Sequence, residues 1–288
     1  MIKKVRYTIE AIVILILFGF FKIMPAAWAS NIGGWLGRTI GPKLAASRKA
    51  LRNIQNALPD TDHAQILNGM WDNLGRTFAE YPHLKSLAKN NVELIGAEHL
   101  EASKDTAAII FAAHLANWEL CPLAPALQQD YLTHSIYRAP NNPLADKLLM
   151  KCRNLGGKLQ PIPKSKSGTR QIVKRLTNKE HLGFLIDQKY NEGIPVPFFH
   201  AAAMTSPAYI QLSQKFDCPL IPAQIERTKG ANFKITIHAP IDRKGKSEEQ
   251  LLLETHQMME CWIKARPEQW LWLHRRWNSM YLKGTEDG

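Results

Sequence analysis

From residue 106 onward, short apolar runs of strand length recur, and stretches with helical markers follow or separate them. The runs are residues 106–113, 181–186, 219–225 and 233–238. Helical patterning covers residues 144–155, where Gly156-Gly157 supplies a stop, and residues 167–176 and 248–264. Another helix starts at Ser206-Pro207 and runs to about Phe216, because serine can cap and proline suits a first helical turn. Residues 42–88 read helical as well. Strands alternating with helices must share a sheet that the helices cover, so the fold class is α/β, with a mixed, largely parallel sheet flanked by helices. A chain of 288 residues, 45% hydrophobic, can bury one sizeable core of this kind. Without repeats or a polar linker to divide it, residues 31–288 are expected to form one domain behind an N-terminal segment, residues 1–30.

That N-terminal segment is apolar. Lys3, Lys4 and Arg6 precede a run over residues 11–21, Lys22 interrupts it, and residues 23–29 continue it. A spanning helix needs about 20 mostly apolar residues, a length reached only if Lys22 snorkels to the interface. A helix lying in one leaflet, a buried core helix and a cleaved leader ending at Ala27-Trp28-Ala29 fit the same residues. Lys22 and Pro25 spoil a leader's apolar core, and Trp28 suits an interface, so a membrane-anchoring helix is the expectation. Arg38, Lys43, Arg48, Lys49 and Arg52 follow, and positive charge on both sides determines orientation only weakly.

The formal net charge is +12. No zinc-finger spacing, RNA-binding aromatic signature or basic zipper accompanies it, which argues against nucleic acid. The basic residues lie near the N-terminal apolar segment and around the candidate site, which favours an anionic membrane surface and phosphorylated substrates. Cys121, Cys152, Cys218 and Cys261 lie far apart, a pattern of buried reduced thiols that offers no metal set.

His114 and Glu119 are the candidate chemistry. Five residues on one helix would put them about 140° apart, so they meet only if His114 ends a strand and Glu119 opens the next helix. Asn117 is a plausible cap for that helix, while Pro122 and Pro125 are hard to place in it. A neutral histidine at a strand end can take a proton from a hydroxyl, and a carboxylate on its other nitrogen fixes the tautomer. Asp187 follows another apolar strand and can reach the same sheet edge, where it could orient Arg138 or a substrate hydroxyl. Lys164, Lys166 and Arg170 fit an acidic partner, lipid phosphates or a solvated face.

The block His114-Leu-Ala-Asn-Trp-Glu119 resembles the H-x4-E block of the bacterial lipid A late acyltransferases, relatives of the glycerolphosphate acyltransferases. Tyr137-Arg138-Ala-Pro-Asn-Asn142-Pro143 resembles the family's arginine block. Asp187-Gln188, Gly193-Ile-Pro-Val-Pro-Phe-Phe199 and Thr205 resemble its next region, and Arg266-Pro-Glu-Gln-Trp-Leu-Trp-Leu-His274-Arg275-Arg276-Trp277 its C-terminal signature. His200, where a small residue is usual, and the two prolines depart from the pattern. The resemblance covers nearly the whole chain. It implies a glycerolphosphate acyltransferase-like domain that transfers a fatty acyl chain from acyl carrier protein to a hydroxyl of a lipid A precursor. His114 would be the general base, oriented by Glu119. Arg138, Asn142, Asp187, Gln188, Arg275 and Arg276 would bind substrate, with no metal or cofactor. The enzyme would sit at the bacterial inner membrane with its site on the cytoplasmic side. Another glycolipid or phospholipid acceptor fits the same chemistry. A non-enzymatic glycolipid-binding membrane protein would need no His114, Glu119 and Arg138 together.

Overall fold

The four expected strand runs all enter one sheet. The computed structural model describes residues 2–277. Its N-terminal part is helical: α1 (Ile2–Lys22), α2 (Ala26–Ile40), α3 (Ala46–Ala57), α4 (His63–Glu80) and α5 (Leu84–Asn90). Alternation follows with β1 (Val92–Ile95), α6 (Glu98–Glu101), β2 (Ala108–Ala112), α7 (Leu120–Gln128), β3 (Thr133–Tyr137), α8 (Pro143–Arg153), β4 (Ile162–Pro163), α9 (Lys166–Thr177) and β5 (His181–Leu185). The hairpin β6 (Ile194–Phe198) and β7 (Ala201–Thr205) precedes α10 (Ala208–Lys215), β8 (Leu220–Arg227), β9 (Phe233–Ile237) and α11 (Glu248–Ala265).

The seven-stranded sheet has the order β1-β9-β8-β2-β5-β3-β4. Its pairings are parallel except β8 with β9. β2 is buried at all five positions, as a central strand covered on both faces must be. It pairs with β5 from Ala108 opposite His181 to Ala112 opposite Leu185. That register decides where the chain delivers its functional groups.

The N-terminal segment departs from the spanning reading. Pro25 separates α1 from α2, and among the described residues no helix is long and apolar enough to cross a membrane. Lys22 does not snorkel; its ammonium donates to the Pro82 carbonyl at 3.2 Å. One face of α1 is docked, with Phe18 stacked on Tyr81 at 5.6 Å. Val5, Ile9, Ile12, Ile16 and Phe20 are exposed. Behind α1, α2 meets α4 backbone to backbone. A Cβ at Gly37 would lie 2.0 Å from the Trp71 carbonyl oxygen, and one at Gly75 would lie 2.1 Å from that of Gly33. Only glycine permits this approach.

The cysteines are free as expected, but only Cys218 is fully buried, and Cys261 is exposed. Asn117 does not cap α7. Glu119 occupies the cap position without a side-chain bond, and Asn117 donates to Glu80 at 2.8 Å. Pro122 falls in the first turn of α7, where its missing N–H is not needed, and Pro125 lies inside the helix.

Several histidines are packed as neutral rings. His181 stacks on Tyr131 at 4.0 Å. His256 sits between the Pro197 carbonyl and the Arg276 guanidinium. Burial, with His134 nearby, pushes His181 down to about 4. Burial, with Arg276 nearby, pushes His256 down to about 3. His134 and His238 are lowered in the same direction, chiefly by burial. In the unfolded chain these rings take protons near pH 6.5, while the folded protein refuses them until lower pH. Their contribution is therefore complete above about pH 6.5 and is lost as pH falls, at about 1.4 kcal/mol per unit of depression. The urea midpoint should decline between pH 7 and pH 5. A midpoint constant over that interval would contradict the neutral packing of these rings.

Candidate active site

Two residues beyond the end of β2 stands His114, and two residues beyond β5 stands Asp187. The offset of 73 that relates Ala112 to Leu185 also relates His114 to Asp187. The two side chains therefore leave the sheet side by side, at the carboxyl ends of parallel strands where α/β folds commonly bind ligands. His114 Nδ1 lies 2.7 Å from Asp187 Oδ1. The other carboxylate oxygen accepts from the His114 backbone N–H at 3.0 Å and from the Trp270 indole at 2.7 Å. Burial alone would raise the Asp187 carboxyl, but the adjacent imidazole and these N–H donors outweigh it and hold the group well below the usual carboxylate range. An ionised carboxylate only accepts, so Nδ1 carries a proton, and in the neutral ring Nε2 then carries the lone pair. Gln188 Nε2 lies 3.2 Å from that Nε2 and 3.1 Å from the Nε2 of His274.

Glu119 makes no hydrogen bond to His114 among the described residues. Its carboxylate accepts from the Tyr81 hydroxyl at 2.8 Å, the Trp118 indole at 3.0 Å and the Arg153 guanidinium at 2.5 Å on each oxygen. The bidentate arginine from the end of α8 saturates it. Burial works against the Arg153 charge, yet Glu119 prevails and strengthens its hold on the proton. Burial, with Glu119 beside it, raises Tyr81, so the phenol stays a donor. This cluster reaches His114 indirectly, because the imidazole packs edge-on against Trp118 with ring centroids 5.1 Å apart.

A cavity of about 280 Å³ adjoins the pair. Its roof is one face of the sheet, with Ile110 and Ala112 from β2, Ser135 from β3 and Gly183 from β5. These positions alternate along their strands, and the small ones leave the space open. Pro122 and Leu123 of α7 also line it, so one of the two unusual prolines is a pocket wall. Cys121 lines it too, its thiol pushed up to about 12 by burial and Glu119. Arg138 and Lys164 bring positive charge to the same cavity. Burial and then Arg138 lower Lys164, against the opposing pull of Asp187.

Two of the expected substrate ligands are structural instead. Asn142 caps α8 by accepting from Leu144 and Ala145, while its amide donates to the Tyr7 carbonyl and to Glu10 in α1. Arg276 is fully buried and donates to the Met204 carbonyl at 2.9 Å and to Thr205 at 2.8 Å, above the Phe198 ring. Burial lowers it to about 10. Arg275 is exposed and lies outside the cavity lining. Trp270, Trp272 and Trp277 are buried, so the tryptophan-rich segment is a packed element.

That segment clasps the His114 loop. Leu115 bridges Trp270, the Leu271 N–H donates to the His114 carbonyl, and the Ala116 N–H to that of Gln269. Ala116 adopts a left-handed conformation (φ 47°), and its carbonyl accepts from Asn73 and Thr77 of α4. Tyr81, Arg153, Trp270 and His274 all touch this site, although sequence patterning had not assigned them to it. Only the positions of Trp270 and His274 inside the C-terminal block hinted at it.

The chain matches the family model for bacterial lipid A biosynthesis acyltransferases over residues 1–279. No curated protein matches it. Among solved structures it is similar to the 1-acyl-sn-glycerophosphate (LPA) acyltransferase PlsC from Thermotoga maritima. The two are 15% identical with a TM-score of 0.42, over 82% of this chain and 98% of that one. With nearly its whole length matched, the chain belongs to the bacterial lipid A biosynthesis acyltransferases.

Proposed function

We propose that this acyltransferase moves a fatty acyl chain from acyl carrier protein to a hydroxyl of a lipid A precursor, with His114 as general base and Asp187 as the carboxylate that orients it. The observation that carries the reading is the 2.7 Å contact between His114 Nδ1 and Asp187, which leaves the Nε2 lone pair at the cavity. The acceptor hydroxyl gives its proton to Nε2 as its oxygen bonds to the thioester carbonyl carbon. The tetrahedral intermediate collapses, the C–S bond breaks, and the imidazolium returns the proton to the leaving thiolate. Asp187 stabilises the imidazolium in between. No covalent enzyme intermediate is needed. The cavity suits the acyl chain, and Arg138 and Lys164 suit phosphate groups of donor or acceptor. Glu119 acts as a positioning residue through Trp118 and Arg153.

In transfer assays with acyl carrier protein thioester and labelled precursor, His114→Ala should lose about 10²–10⁴-fold in rate. Asp187→Asn, which disrupts the tautomer, should fall by up to about 10⁴-fold. Glu119→Gln should keep at least ten times the activity of Asp187→Asn. An inactive Glu119→Gln beside a nearly unimpaired Asp187→Asn would overturn the assignment.

For the membrane, the exposed face of α1 and the exposed Trp28 and Trp35 support a helix lying in the cytoplasmic leaflet of the inner membrane. The exposed Arg48, Lys49 and Arg52 add attraction to anionic lipid. The double variant Ile9→Glu, Ile16→Glu should float poorly with phosphatidylethanolamine–phosphatidylglycerol vesicles while the unsubstituted protein floats with them. Equal flotation of the two would refute this seat.

A further inference from the structure

We infer that Gln188 is the oxyanion donor of this site and that His274 holds it in place, an inference that rests on His114 being the base. Because Asp187 accepts at Nδ1, the Nε2 of the neutral His114 ring has no hydrogen to offer. The 3.2 Å contact to Gln188 must therefore be an amide N–H pointing at the imidazole lone pair. The same amide nitrogen lies 3.1 Å from Nε2 of His274. It has two hydrogens and faces two ring nitrogens, so each hydrogen has one acceptor. Partial shielding from water first, and then the neighbouring His114, lower His274, in the direction of a neutral ring that can accept. The two imidazoles stand edge to face with centroids 5.5 Å apart, and the amide bridges them.

Gln188 covers the Nε2 of the base. An acceptor hydroxyl needs the same lone pair at about 2.6–3.2 Å, so its arrival displaces one Gln188 N–H. The other hydrogen stays on His274, and the amide remains within a hydrogen-bond length of the incoming oxygen. The released N–H is then beside the carbonyl that this oxygen attacks, where negative charge gathers on the carbonyl oxygen. A donor preset at that point acts in the transition state more than on bound substrate. Gln188 follows Asp187 directly in the chain, so the residue that fixes the base's tautomer also fixes the backbone of the oxyanion donor. The His274 ring accepts from the amide and packs edge to face on the His114 ring, and it is assigned as a positioning residue.

The test is the split between kcat and KM in purified full-length variants whose thermal midpoints match the unsubstituted protein. Gln188→Ala should lower kcat about 10²–10³-fold with KM changed less than about threefold. Gln188→Glu, similar in size but without the donor, should be at least as slow. His274→Phe keeps the ring packing and removes the acceptor, and should lower kcat about tenfold. His274→Gln, which returns an acceptor oxygen, should recover most of that loss. A Gln188→Ala enzyme as fast as the parent or faster would mean the amide only covers the base, and a loss confined to KM would mean it only binds substrate. Either result overturns the proposal, as does a His274→Gln variant no better than His274→Phe. His114→Ala, assayed alongside, separates the two readings. If it retains transfer, the base assignment falls. If it is inactive while Gln188→Ala is not slowed, only the oxyanion assignment falls.

Discussion

The parallel pairing of β2 with β5 carries the site. Ala112 opposite Leu185 brings both chains out of the sheet at one level, and His114 and Asp187 keep that register two residues farther on. A slip of one residue would turn one of the two side chains to the opposite face and separate His114 from Asp187. Sequence distance is irrelevant to this arrangement, because the strands set the positions. The other features of the site maintain the pair or build space beside it.

Maintaining it takes several contacts, because an ionised carboxylate buried beneath an imidazole is costly without partners. Asp187 receives N–H groups from the His114 backbone and from Trp270, and the segment that brings Trp270 also pairs with the His114 loop. In addition, Asn73 and Thr77 fix the Ala116 carbonyl, and Asn117 reaches Glu80. Glu80 is itself a buried partner of Arg227 on β8. Removing either member of that pair would leave a charge without compensation next to the His114 loop. The close glycine contact of α2 with α4 sets the helix from which Asn73, Thr77 and Glu80 project.

Much of this organisation could be read along the sequence. The apolar runs that became β2, β5, β8 and β9 announce themselves by hydrophobicity, and α11 and α8 by their helical patterns. β3 could not be found this way, since Thr133, His134 and Ser135 are polar and gain strand structure only from β5 and β4. β6 hides behind Pro195 and Pro197, which a two-stranded hairpin tolerates at an edge. His114 was legible because its block is distinctive. Its partner was not, because a five-residue spacing suggests Glu119, whereas Arg153, 34 residues farther on, captures that carboxylate. Asn142 and Arg276 looked like substrate ligands for the same reason: a polar side chain in a distinctive block says nothing about which buried backbone groups need it. The apolar N-terminus does not form the spanning helix that its run of residues suggested, because Pro25 breaks the run and the docked face of α1 uses part of its hydrophobic surface.

The central claim, that Asp187 and not Glu119 sets the protonation of His114, is most directly tested by nitrogen NMR of histidine-labelled full-length protein at pH 7.5. The His114 resonances, identified by their loss in His114→Ala, should report a protonated Nδ1 and an unprotonated Nε2. That pattern should be lost in Asp187→Asn and retained in Glu119→Gln. A proton on Nε2 in the unsubstituted protein, or a tautomer that changes with Glu119→Gln and not with Asp187→Asn, would contradict it.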